Sequence, residues 1–181
     1  MKNVLLLGDS IRMEYQPLVK DALKRKANVF GPLDNGRWSG YTLNSLRFWS
    51  PFVPDADIVH WNNGIWDLGD DYNLGRHFSL PDEYRSNLVM TIQVLKQLYG
   101  NEVVIIMATT TPIKGRDSSE LCKYNDILRD VAGKYNAELD DLYGDIIKDI
   151  DSYIGDDNVH PTVKGKELLA QKVTETIIKH L

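Results

Sequence analysis

Short apolar runs alternate along the chain with longer stretches in which apolar residues recur every three or four positions. The apolar runs Asn3–Leu7, Asn28–Phe30, Asp57–Trp61, Val103–Ala108 and Glu138–Leu142 are predicted strands. "VVIIMA", Val103–Ala108, has no polar alternation, which fits a strand covered on both faces. From Pro81 onward, Tyr84, Leu88, Ile92, Leu95 and Tyr99 share one helical stripe, and Pro81-Asp82-Glu83 is a favourable helix start. Asp117-Ser-Ser-Glu120 has the form of a capping box, and Leu121, Tyr124, Leu128 and Val131 follow at helical spacing. A last helix begins near Thr162 and carries Leu169, Val173 and Ile177. This strand-then-helix order predicts an α/β fold, a parallel sheet with helices on both faces. Residues 1–181 read as a single domain, with no internal repeat and no low-complexity segment.

The irregular stretches Gly31–Gly40, Asn62–Leu80 and Thr109–Arg116 each follow a predicted strand. Ligands of open α/β sheets bind beyond the carboxyl ends of the strands, so chemistry is expected on these loops.

Composition narrows the classes. A chain of 181 residues suits one domain with a full core. The net charge of −5 argues against nucleic acid as a main partner, because phosphate binding wants a basic face. The one cysteine, Cys122, excludes an internal disulfide, fits a reducing compartment and reads as packing in its helix. The apolar run Val4–Leu7 is too short for a signal-peptide core. No stretch approaches the ~18 apolar residues of a membrane span, and the expected compartment is the cytoplasm. No His/Cys/Asp cluster has metal-ligand spacing, and no cofactor is expected.

The run "LLLGDSIRMEY", Leu5–Tyr15, leaves the first strand on Gly8 and sets Ser10 at the start of a helix. Helix starts present unpaired N–H groups and favour negative charge. A serine there can act as a nucleophile whose own N–H helps to hold an oxyanion. It can also be a plain N-cap, or part of a phosphate-binding turn. In "DDNVHPT", residues 156–162, Asp157 and His160 are three apart. On a turn, that spacing lets a carboxylate hold one imidazole nitrogen while the other faces a nucleophile. A solvated acidic turn containing a histidine is the plainer reading, and Asp156 reads as solvated. In a parallel sheet, a residue after the first strand and one before the last helix belong on the same rim. The G-x-S-x-G elbow of α/β-hydrolases is absent.

With "GDS" after the first strand and "DNVH" near the C-terminus, the chain resembles the GDSL, or SGNH, hydrolase family over nearly its whole length. The resemblance implies a flavodoxin-like three-layer α/β/α domain that hydrolyses esters, often acyl groups on carbohydrates or lipids. By position it implies Ser10 as nucleophile, His160 as base and Asp157 as the partner that orients the base. "NGRWSGYT", residues 35–42, resembles the family's "N…SG-x-T" block and implies Gly40 as an oxyanion donor through its N–H; Gly40 also reads as a plain turn glycine. The usual "GxND" block is replaced by "HWNNGIWDL", residues 60–68. Gly64 and Asp67 keep their places, but Trp66 stands where the asparagine would be. This resembles a branch with an "N-x-G-x-[WH]-D" block. Asn62 or Asn63 is expected to supply the missing amide, Asn62 being the first choice, since an amide donates without a charge to desolvate. Simple closure of the turn is the other reading.

Trp38 and Trp66 lie on site loops and are candidate contacts for a sugar or acyl group, while Trp61 reads equally as core. His60 is expected near the site; His77 and His180 read as surface. Arg12 and Tyr15 are placed outward or on the site rim. The expected activity is hydrolysis of small acyl esters, acetyl on a sugar being favoured, through an acyl-enzyme on Ser10. A lysophospholipase or thioesterase is the enzymatic alternative, and a flavodoxin-like phosphate- or cofactor-binding module the non-enzymatic one.

Overall fold

The computed structural model describes residues 1–53, 55–70 and 73–181. Asp71 and Tyr72, within the irregular stretch Asn62–Leu80, lie outside the described residues. Five strands, β1 (Lys2–Leu7), β2 (Ala27–Phe30), β3 (Ile58–Asn62), β4 (Val104–Ala108) and β5 (Glu138–Asp140), pair in parallel in the order β2-β1-β3-β4-β5. The interleaved helices are α1 (Ser10–Leu23), α2 (Ser39–Trp49), α3 (Pro81–Tyr99), α4 (Ser119–Tyr135), α5 (Leu142–Ile146), α6 (Ile150–Tyr153) and α7 (Val163–Ile178).

Side-chain alternation along the strands splits the core into two layers. Val4, Leu6, Ile58, Ile106 and Ala108 face Ile11, Tyr15 and Val19 of α1 and Leu169, Val173 and Ile177 of α7. Leu5, Leu7, Val59, Trp61, Ile105 and Met107 face Leu46 of α2, Leu88 and Ile92 of α3 and Leu128 of α4. The predicted stripe of α3 is the face that packs. β1 and β3 are neighbours, but the chain leaves β1 toward β2 and α2 and then returns to β3. The loops therefore part at the carboxyl ends of β1 and β3, opening a crevice there. No described helix is long and apolar enough to cross a membrane.

The first four strands match the prediction to within one residue at each end, and two features differ more. The last strand stops at Asp140, and Leu142 begins α5 instead of continuing it. Thr109 takes over there: its hydroxyl accepts the Tyr143 N–H and donates to Asp141, which turns the chain. The capping box Asp117–Glu120 does not form. Asp117 itself caps, its carboxylate accepting the N–H and hydroxyl of Ser119. At α7, Thr162 is the N-cap as expected, its hydroxyl accepting the Gly165 N–H.

Gly8, between β1 and α1, has φ +147°, a region L side chains rarely adopt. A Cβ there would lie 2.1 Å from Asn62 Oδ1. Gly8→Ala is therefore expected to cost about 2 kcal/mol or more, combining backbone strain with displacement of Asn62. Urea unfolding of the two proteins measures it; a loss below about 0.5 kcal/mol would mean that the turn tolerates a side chain.

Candidate active site

Ser10 is the first residue of α1, and Asp9 caps that helix by accepting the Ile11 N–H at 3.0 Å. From the other end of the chain, His160 brings Nε2 to 2.9 Å from Ser10 Oγ, and its Nδ1 lies 2.7 Å from Asp157 Oδ2. The second Asp157 oxygen accepts the N–H groups of Val159 and His160. These hydrogen bonds, the two amides first, hold the Asp157 carboxyl down to about 2. An ionised carboxylate only accepts, so it takes the Nδ1–H of the neutral ring. The Nε2 lone pair is then left facing the serine hydroxyl.

Local bonds fix the turn that carries this pair. Ile154 and Pro161 form an isolated bridge, Gly155 donates to the His160 carbonyl, and Lys114 donates to the Asn158 carbonyl. Asp156 is exposed.

Gly40 is the second residue of α2, where helical N–H groups have no partner within the helix. Asp67 sets the start of that helix. It accepts the Ser39 N–H at 3.1 Å and the Ser39 hydroxyl at 2.5 Å. Burial pushes the Asp67 carboxyl up to about 6 against these donors. Trp38 leans over Gly40, with its indole Nε1 3.0 Å from where a Gly40 Cβ would stand, and stacks on Phe78 at 5.0 Å. Trp66 is half-buried on the turn that carries Asp67.

The two asparagines have different surroundings. Asn62 ends β3, is 2% exposed and lies directly behind the Gly8 turn, with the Tyr15 hydroxyl 3.4 Å from its Oδ1. Asn63 is buried with both ends of its amide committed. Nδ2 donates to the Arg37 carbonyl at 2.7 Å, and Oδ1 accepts from the Trp61 indole at 2.5 Å. Trp61 is accordingly a core residue.

Arg12 and Tyr15 do not line the rim; both are buried. The α1 face that packs on the sheet holds Tyr15, and Arg12 turns under the Gly31–Gly36 loop to bond its carbonyls. Periodicity had no means of separating an exposed arginine from one folded back onto a loop. His60 is buried one layer below the site and bonds Asp140 across β4 at 3.0 Å. His77 and His180 are partly buried and bond Glu120 and Glu138. Asp9 also went unread beside Ser10: it is buried, and burial pushes its carboxyl up to about 6 although the Ile11 N–H, the Asn62 side chain and the Arg12 charge pull it down.

No family model matches the sequence, and no curated protein matches it. Solved structures do. The lipase/acylhydrolase from Enterococcus faecalis superposes with a TM-score of 0.83 at 21% identity, over 100% of this chain and 97% of its own. The acetyl xylan esterase AlAXEase gives 0.78 at 20% identity, over 97% and 99%. Axe2, an acetylxylan esterase from Geobacillus stearothermophilus, gives 0.72 at 19% identity, over 96% and 93%. The fold is the SGNH-hydrolase fold. In this SGNH fold, Ser10, Asp157 and His160 meet at the carboxyl rim of the sheet, in the crevice between the loops that follow β1 and β3.

The raised carboxyl of Asp9 has a consequence for stability. Its ordinary value is 3.8 and its folded value about 6, so over that interval the folded state binds a proton that the unfolded chain has released. Stability from this group is complete below pH 3.8 and is lost as the pH rises through about 6. Asp9→Asn keeps the capping oxygen and removes the titration. The variant is expected to gain on the wild type between pH 4 and pH 7, by up to ~3 kcal/mol for a shift of this size. Denaturant unfolding at both pH values measures the difference; equal gaps would show that Asp9 titrates normally.

Proposed function

We propose that this chain is a serine esterase of the SGNH family that removes small acyl groups, acetyl first, from carbohydrate esters. The observation that carries the reading is the continuous relay Ser10 Oγ–His160–Asp157, at 2.9 and 2.7 Å. A phosphate- or cofactor-binding module would give that relay no role.

In the proposed reaction His160 Nε2 takes the Ser10 proton as Oγ bonds to the ester carbonyl carbon. The carbonyl oxygen becomes an oxyanion, held by the N–H groups of Ser10 and Gly40 and by the Asn62 amide. Collapse breaks the bond to the alcohol oxygen, which takes the proton from His160, leaving an acyl-Ser10 ester. Water, deprotonated by His160, then attacks that ester; Ser10 recovers its proton and the acid leaves. Asp157, ionised throughout, keeps the imidazole tautomer and stabilises the imidazolium.

A short acyl group is supported by the cavities. An apolar cleft of about 580 Å³ is lined by Phe30, Leu33, Trp49 and Phe52 and by none of the three relay residues. A carbohydrate alcohol is supported by Trp38 and Phe78 beside Gly40, since sugar rings pack on aromatic faces, and by the acetylxylan esterases that share the fold. Lysophospholipase or thioesterase activity would need a long acyl channel at Ser10.

A fluorophosphonate probe is expected to label the wild type at Ser10 and to leave Ser10→Ala unlabelled. Nitrophenyl esters of increasing chain length are expected to be cleaved fastest at acetyl; a maximum at eight carbons or more would favour the lipid-directed alternative. His160→Ala is expected to lower kcat more than Asp157→Ala, because the carboxylate acts only through the base. Asn62→Ala is expected to lower kcat about 100- to 1,000-fold, the usual loss for one oxyanion donor. Asn63→Ala, which strips partners from Arg37 and Trp61, is expected to lose stability, about 1–3 kcal/mol, before activity. The reverse pattern in kinetics and thermal melts would assign the donor to Asn63.

A further inference from the structure

Arg12, two residues beyond Ser10, is 1% exposed, and each acceptor it touches is uncharged. Its Nη1 donates to Gln16 Oε1 at 2.7 Å and to the Pro32 carbonyl at 2.9 Å. Its Nη2 donates to the Asp34 carbonyl at 2.7 Å and lies 3.5 Å from the Gly8 carbonyl. Its Nε has no partner among the described residues. Burial pulls the guanidinium's pKa below its ordinary value, although the Asp9 and Asp34 carboxylates attract it without bonding it. A charge buried with neutral hydrogen-bond acceptors is unfavourable, and such violations of local rules gather at functional positions.

What Arg12 grips is the segment 31–40, which leads to Gly40. The same segment is pinned again further along. Gly36 N–H donates to the Gly8 carbonyl at 2.9 Å, and a Gly36 Cβ would lie 2.5 Å from that oxygen. Thr42 holds the Gly36 carbonyl at 2.7 Å, and Asn63 holds the carbonyl of Arg37, whose φ is +48°. Asp67 then fixes Ser39. The N–H groups of Ser10 and Gly40 therefore sit on two different segments, and contacts between those segments set their separation.

We propose that Arg12 is a positioning residue: by holding the Pro32 and Asp34 carbonyls against the nucleophile turn, it sets the spacing between the N–H groups of Ser10 and Gly40. The inference rests on the esterase reading above. Lysine cannot replace it, because one ammonium does not span carbonyls that the planar fork reaches at once. Misplacing one donor weakens a contact made mainly in the transition state, so the loss falls on kcat and spares KM.

The test begins with fluorophosphonate labelling of the wild type, then compares Arg12→Lys and Gln16→Met with it on an acetyl ester, using active-site-titrated enzyme below the melting temperature. Arg12→Lys is expected to lower kcat about 100-fold, as a misplacement of about 1 Å does, with KM and the acid limb of the pH profile unchanged. Gln16→Met removes one acceptor at similar length and is expected to lower kcat severalfold with the fold intact, which decides the matter if Arg12→Lys does not fold. A lower melting temperature with unchanged kcat in a folded variant overturns the inference and makes Arg12 a stabilising residue only. An unlabelled wild type overturns the esterase reading, and this inference with it.

Discussion

The site depends on one hydrogen bond, 2.9 Å long, between residues 150 positions apart: Ser10 Oγ and His160 Nε2. Neither local segment can make it alone. α1 and α7 must lie on the same face of the sheet, in contact through a shared apolar layer that includes Ile11, Tyr15, Leu169 and Val173. The parallel sheet brings the carboxyl end of β1 to the rim, and packing of α7 against α1 brings the residue before α7 to the same rim. The relay is thus a by-product of helix packing, aimed by a short rigid turn.

That turn carries its own fixings. Asp157 spends one oxygen on two amides and the other on the imidazole, so the carboxylate is oriented before it orients anything else. Its exposure keeps water available, and the amide donors keep it ionised. Asp9 and Asp67 stand in the opposite situation. Both are buried beside helix starts, and burial lifts both carboxyls to about 6 although N–H donors pull the other way. Burial dominates at Asp9 and Asp67, whereas amide and imidazole donors dominate at the exposed Asp157.

The loops converge as much as the three relay side chains do. Gly8 and Gly36 let two backbones approach to hydrogen-bonding distance, an approach that a Cβ on Gly36 would prevent. Asn63, Thr42, Asp67 and Arg12 each hold a backbone group of the segment between β2 and the first turn of α2. The segment has no regular structure until Ser39, yet the carbonyls of Pro32, Asp34, Gly36 and Arg37 and the Ser39 N–H are each held by a side chain.

Periodicity and turn chemistry were enough for the architecture, because burial on both faces and amphipathic stripes are local properties of the sequence. Val103–Ala108, Pro81–Tyr99 and the Thr162 cap were legible for that reason. Ser10, Asp157 and His160 were legible as candidates because each lies in a short motif with its own geometry, and the fold brings the three together. Leu142 was misassigned because a side chain from another strand end, Thr109, turns the chain there. Arg12 was misplaced because its charge looked like a surface property, while its partners are carbonyls about twenty residues away. Asn62 was the first choice over Asn63 from the sequence; that the Asn63 amide is engaged by the Arg37 carbonyl and the Trp61 indole was out of its reach. The sequence by itself determined the layers, the order of the elements and the residue types available for chemistry. Only the tertiary structure decided which polar groups are spent on holding loops and which are left facing the crevice, because hydrogen-bond partners distant in sequence leave no periodic trace in it.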